Sequence, residues 1–164
     1  MPAIDRVLET VLYAGDLDAA QRFYGDVLGL PLDSCKPGVF CFFRVGSGML
    51  LLFDPAAARR NRDVPAHGAD GAGHACFAVA ESELVGWQAR LREHGVAIEH
   101  EQAWPRGGRS FYIRDPAGNS IEFATPRIWD LPDLPGAVEE EEHIAHVEIN
   151  KLRPIHRCST FLRT

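Results

Sequence analysis

No apolar run in the chain approaches the roughly 20 residues that a membrane-spanning helix needs; the block at residues 49–53 has the length of one strand. The first ten residues, MPAIDRVLET, lack the apolar stretch of a secretory signal, so a cytoplasmic protein is expected. Basic excess is also missing. Seventeen Lys and Arg stand against 23 Asp and Glu, for a net charge of −6 and a pI of about 5.6. Nucleic-acid and anionic-membrane surfaces need the opposite sign, so neither is an expected partner. The four cysteines, Cys35, Cys41, Cys76 and Cys158, form no CxxC pair, which removes zinc-knuckle and thioredoxin-type readings. In a reducing compartment all are expected as thiols, Cys41 and Cys76 buried in apolar strands.

What the sequence does contain is a repetition. RVGSGMLLLF at 44–53 parallels RDPAGNSIEF at 114–123, at an offset of 70. LETVLY at 8–13 parallels GHACFA at 73–78, at an offset of 65. Each opening strand leads into an amphipathic helix. The first is capped by Asp16, carries Leu17, Ala20, Tyr24, Val27 and Leu28 at helical spacing, and stops at Gly29. The second is capped by Ser82, carries Leu84, Trp87 and Leu91, and stops at Gly95. Three strand candidates follow each helix: 31–34, 39–45 and 49–53, then 96–101, 109–114 and 119–124. The expected fold is α+β, two βαβββ repeats (7–54 and 72–125) forming a U-shaped mixed sheet around a central cleft. A half of about 50 residues buries too little surface to be stable alone, so the two form one domain over 1–126. Residues 54–71 are expected as an exposed, mobile linker.

Three polar residues interrupt apolar strands. Glu9 and His74 occupy matching positions in the repeats, and Glu122 sits in the last strand between Ile121 and Phe123. An unpaired buried carboxylate is costly. Two carboxylates and an imidazole meeting in one cleft form a plausible divalent-metal site. The plainer alternative is a buried ion-pair or hydrogen-bond network, for example of Glu9 or Glu122 with Arg44 or Arg114.

LETVLYAGDLDAAQRFYGDVLGL, GHACFAV and FYIRDPAGNSIEF resemble the signatures of the vicinal oxygen chelate superfamily, which includes glyoxalases, bleomycin-resistance proteins and extradiol dioxygenases. The resemblance spans about 120 residues. It implies one metal and a small oxygenated substrate in the cleft, with the metal acting as a Lewis acid. His74 and Glu122 fall on metal-ligand positions of that family. Glu9 falls where most members carry His, and Leu52 on the first-repeat counterpart of Glu122. One His with two carboxylates suits Mn, Mg or Zn at least as well as Fe; Ni is also compatible. Tyr112 falls where dioxygenase-like members carry a tyrosine, an acid/base candidate; a plain strand aromatic is the alternative. Arg106 and Arg109, in WPRGGRS, are candidates for binding an anionic substrate group, against a solvated turn as the alternative. The implied function is a metal-dependent lyase, isomerase or dioxygenase; a metal-free drug-binding protein is the second reading. The resemblance also implies a homodimer.

Residues 127–164 form an extension. Two prolines in 127–136, directly after Pro126, predict an irregular arm, Glu139–Glu142 is an acidic run, and His143 and His146 at i, i+3 spacing could share a helix face.

Overall fold

The computed structural model describes residues 1–136. The acidic run and the His143/His146 pair lie outside the described residues. The first repeat runs β1 (Glu9–Tyr13), α1 (Leu17–Arg22), β2 (Leu32–Lys36), β3 (Phe40–Val45) and β4 (Gly48–Phe53). A short α2 (Pro55–Arg60) follows. The second runs β5 (His74–Ala78), α3 (Leu84–Glu93), β6 (His100–Ala103), β7 (Arg109–Arg114) and β8 (Ser120–Ala124). Each repeat makes one open four-stranded mixed sheet, ordered β1-β4-β3-β2 and β5-β8-β7-β6. In both, the first strand is parallel to the last and the remaining neighbours are antiparallel.

The alternation of each strand sorts its residues. Leu12, Cys41, Phe43, Leu50 and Leu52 of the first sheet face inward, with Ala75, Phe111, Ile113, Ile121 and Phe123 of the second. Together with Leu17, Ala20, Tyr24, Leu84 and Leu91 of the helices they form one continuous core. The other face of each sheet lies outside this core; on the first sheet it is partly covered by residues 55–67.

The helices depart from their predicted forms. Asp16 caps α1 through Ala19 N. The helix then widens into a π-turn over Phe23–Val27, at Gly25, which is a weak helix former. Ser82 does not cap the second helix; a 3-10 turn, Glu81–Glu83, leads into it instead. The 54–71 linker is not a bare loop. Asp54 caps α2 through Ala57 N, Ala58 is buried, and His67 bonds Tyr13 OH at 2.7 Å and packs edge-on against Phe53.

A buried polar clamp joins the repeats. In the DPAGN turn, Asp115 Oδ1 accepts from Ala117 N (2.9 Å) and Asn119 N (2.8 Å). Its Oδ2 accepts from Tyr24 OH (2.9 Å) and Asn119 Nδ2 (2.8 Å). Asn119 Nδ2 also donates to Tyr13 O of β1, and its Oδ1 accepts from Gly73 N just before β5. One amide thus bridges the two strands at the seam. The approach is tight: a Cβ on Gly73 would lie 2.8 Å from Leu12 Cδ2.

The ladders revise the alignment of the repeats. Val11 pairs with Leu51 and Cys76 with Glu122; Phe42 pairs with Leu51 and Tyr112 with Glu122. The first-repeat counterpart of Glu122 is therefore Leu51, not Leu52. The cause is turn length. The β3–β4 hairpin closes with two residues between Val45 and Gly48, while the β7–β8 hairpin has three between Asp115 and Asn119. One extra residue shifts the offset from 70 to 71 and exchanges the faces.

Cysteine placement also differs from expectation. Cys35 and Cys41 are directly opposed across β2 and β3 and are disulfide-bonded. Their spacing of six residues spans a hairpin, which brings opposed side chains to bonding distance. Cys76 is not in the core but on the open face of the second sheet.

Candidate functional site

The open face of the second sheet carries the polar cluster. β5 and β8 run in parallel, placing Cys76 beside Glu122 and His74 beside Ser120; β7 brings Tyr112 against the other side of Glu122. Glu122 is only 6% exposed, yet it holds a carboxylate. Tyr112 OH donates to its Oε1 at 2.8 Å. His74 Nε2 lies 3.5 Å from Oε2. Tyr112 is therefore more than a strand aromatic: loss of solvent, and then the bond to Glu122, raise its phenol pKa and keep it a protonated donor. The Cys76 thiol, crowded among these groups, is pushed up to about 12, chiefly by desolvation and secondarily by the Glu122 charge.

The tautomer of His74 follows from its other nitrogen. Nδ1 is 3.1 Å from Ser120 O, which can only accept, so Nδ1 carries the proton. Nε2 then directs a lone pair at a carboxylate oxygen. Two acceptors face each other, an arrangement relieved by a proton on Nε2 or by a cation between them. The donor set fits a cation. Two ligands held at about 2.1 Å by one divalent ion lie about 3.0 to 3.4 Å apart at octahedral or tetrahedral angles, close to the separation seen. A backbone carbonyl on Nδ1 and a phenol on the spare carboxylate oxygen are the outer partners that such ligands need.

Glu9 does not join this pair. It occupies the His74 position of β1, on the open side, and is exposed. Among the described residues, no group of three or more His, Cys, Asp or Glu side chains is gathered to hold a metal. Neither Arg44 nor Arg114 takes part in a network with these carboxylates, since Arg44 is paired with Asp33, and Arg114 with Glu99 at 2.7 Å; the hydrogen-bond and ion-pair contacts of Glu122 are made by Tyr112 and His74 instead.

The two arginine candidates lie away from the cluster. Arg109 is on the opposite face of β7 from Tyr112, bonded to Glu81 at 3.0 Å. Arg106 pairs with Asp130 at 3.4 Å. The glycines between them serve the turn. Gly108 has φ +80, and a Cβ there would lie 2.7 Å from Thr125 Oγ1 and 2.9 Å from Ile128 N. Sequence reading had assigned Cys76 to the core; its shared parity with His74 was the available signal.

The family model for the Glyoxalase/Bleomycin resistance protein/Dioxygenase superfamily matches residues 4–123. The chain belongs to this superfamily. Among solved structures, it resembles one described as a lactoylglutathione lyase from Agrobacterium tumefaciens, at 45% identity and TM-score 0.76, covering 79% of this chain and 100% of that one. A glyoxalase/bleomycin resistance protein/dioxygenase from Nocardioides is 26% identical with TM-score 0.62, covering 76% and 85%. An integron cassette protein from V. cholerae is 25% identical with TM-score 0.61, covering 77% and 98%. No curated protein matches the chain. Members of the superfamily commonly use divalent metals and bind small-molecule substrates. No helix among the described residues is long and apolar enough to cross a membrane.

Proposed function

We propose that this superfamily member is a divalent-metal-dependent enzyme, of lyase or isomerase type, acting on a small oxygenated substrate. The observation that carries the reading is the His74 Nε2–Glu122 Oε2 pair, oriented by Ser120 O and Tyr112 OH. Similarity to the Agrobacterium lactoylglutathione lyase favours lyase chemistry over dioxygenase chemistry. His74 and Glu122 would hold the ion; Glu9, the exposed first-repeat counterpart of His74, does not join the pair in this structure and is a third donor on the repeat pattern alone. A bound divalent ion would supply Lewis-acid polarisation of substrate oxygens. Tyr112 holds Glu122 through Oε1 and leaves Oε2 free toward His74. Its phenol stays protonated, and it is the group placed to donate to a substrate oxygen entering over the sheet. A homodimer belongs to the same proposal.

A second reading, a metal-free small-molecule-binding protein of bleomycin-resistance type, is favoured by the replacement of Glu122 and Tyr112 by Leu51 and Phe42 in the first repeat. Elemental analysis separates the two. Protein purified without chelator or affinity metal is expected to carry about one equivalent of a transition metal, lost in both Glu122→Ala and His74→Ala. Absence of metal in the wild type after dialysis against Mn, Fe, Ni and Zn would favour the second reading.

A further inference from the structure

The first sheet does not mirror the second. Where the second open face carries Ser110, Tyr112 and Glu122, the matching positions of the first carry Phe40, Phe42 and Leu51. Phe40 and Phe42 are stacked, with ring centres 4.2 Å apart and an interplanar angle of 19°. Phe53 stands edge-on to both, at 6.3 and 5.1 Å. None of the three is fully buried. They floor a cavity of about 460 Å³, walled on its other side by α2 and the residues leaving it. That volume lies within the range of small-molecule pockets.

The lining also has a charge sign. Lys36 and Arg60 both border the cavity, and neither has an ion-pair partner among the described residues. Arg44, Arg59, Arg106, Arg109 and Arg114 each have an acid; Arg6, Arg22, Arg62, Arg90, Arg92 and Arg127 also have none among the described residues, but of the unpaired cations only Lys36 and Arg60 line this cavity. Asp63 is the acidic side chain in the lining. Two unpaired cations therefore flank an aromatic floor. Flat apolar surface gains from offset or edge contact with such rings, and an anionic group gains from the cations.

We infer that this cavity is a binding site for a planar aromatic carboxylate, distinct from the His74–Glu122 cluster. The ring would lie against Phe40, Phe42 and Phe53, and the carboxylate toward Lys36 and Arg60. None of the residues in the cluster lines the cavity, so the site does not depend on whether that pair holds a metal.

The probes are 2-naphthoate and its neutral analogue 2-naphthamide, titrated into the full chain by calorimetry. One naphthoate per chain is expected, bound about tenfold more tightly than the amide. The double variant Lys36→Gln/Arg60→Gln should remove that preference while leaving amide binding in place. Phe42→Ala should weaken both probes about tenfold. His74→Ala should leave both unchanged, and thermal melts check that each variant is folded. Absence of naphthoate binding at millimolar concentration overturns the assignment, as does equal affinity for the amide. Loss of binding in His74→Ala with retention in Phe42→Ala places the ligand in the cluster and also overturns it. If naphthoate does not bind and Phe42→Ala instead lowers the sedimentation mass, the floor is an interface with a second copy and the small-molecule assignment fails.

Discussion

Replacing Asp115 by alanine should be among the most damaging single changes in this protein. The carboxylate is 4% exposed and accepts four hydrogen bonds: from Ala117 N, Asn119 N, Tyr24 OH and Asn119 Nδ2. Its removal leaves two buried side-chain donors, Tyr24 OH and Asn119 Nδ2, without this acceptor. An unsatisfied buried group costs about 1 to 3 kcal/mol, and breaking a buried charged arrangement about 3 to 5 kcal/mol. A loss of about 4 kcal/mol is therefore expected, a large share of the roughly 5 to 15 kcal/mol that holds a domain folded. With a urea slope of about 2 kcal/mol per molar, the unfolding midpoint at neutral pH should fall by about 2 M. Tyr24→Phe removes one donor and leaves the carboxylate with three, so about 1 to 2 kcal/mol is expected. In a double-mutant cycle the two losses should be less than additive, since Tyr24→Phe deletes a contact that Asp115→Ala has already broken. A midpoint shift below about 0.5 M for Asp115→Ala, or strict additivity with Tyr24→Phe, would refute the clamp.

The register predicts opposite fates for adjacent leucines: Leu52→Glu places a charge at a fully buried core position and should cost more than about 4 kcal/mol, while Leu51→Glu, on the open side, should cost about half as much or less; the reverse order in urea melts would restore the offset of 70. Burial, with Asp115 adding to it, raises the Tyr24 phenol well above its usual value. The stability this gives is whole below the unfolded pKa of about 10 and is lost as pH rises beyond it, by about 1.4 kcal/mol per unit, because the unfolded chain ionises first. Tyr24→Phe should flatten the stability profile above pH 10 by that slope, and an unchanged profile would count against the assignment. Gly108→Ala should cost about 2 to 3 kcal/mol through its left-handed φ and the collision with Thr125 and Ile128; a neutral melt would show that the turn can open. Cys35 and Cys41 should resist iodoacetamide in denaturant without reductant and react after reduction; equal labelling in both conditions would return them to thiols.

The fold was readable because duplication wrote the same pattern twice: an apolar strand, an amphipathic helix, then three strands. Seven of the eight strands start within one residue of where alternation and turn residues place them. The exception is β6, which begins at His100 rather than Val96, because Val96 and Ile98 pack on the core as irregular chain before pairing begins. What alternation cannot supply is register across a turn whose length changes. The glycines at 48 and 118 align by type, yet the two hairpins differ by one residue, so Leu52 stood in for Leu51. The candidate site was legible in half. His74 and Glu122 are two residues of neighbouring parallel strands, so local pattern brings them together. Whether Glu9 joins them depends on the spacing of the two sheets, which no strand pattern encodes. Arg109 stands apart from the cluster for a simpler reason: it precedes Tyr112 by three residues and therefore projects from the other face of β7.

Duplication also separates structural from site residues within this one chain. Arg44 and Arg114 hold equivalent positions, and each reaches an acid at an equivalent place beside the edge strand, Asp33 and Glu99. A pair kept in both halves serves what both halves share, the hairpin and its edge. Position pairs that differ between halves are released from that demand. Glu9 with His74, Phe42 with Tyr112, and Leu51 with Glu122 all lie on the open faces, where a side chain can change without repacking the core. The differences are not scattered. All the groups gathered around Glu122 are in the second repeat, and the three-phenylalanine floor is in the first. Random drift on a partly covered face would not gather aromatics at one end and polar groups at the other, because clustered apolar surface outside the core carries an aggregation liability. Segregation into one polar and one aromatic face is what the two proposed sites would require of one duplicated scaffold.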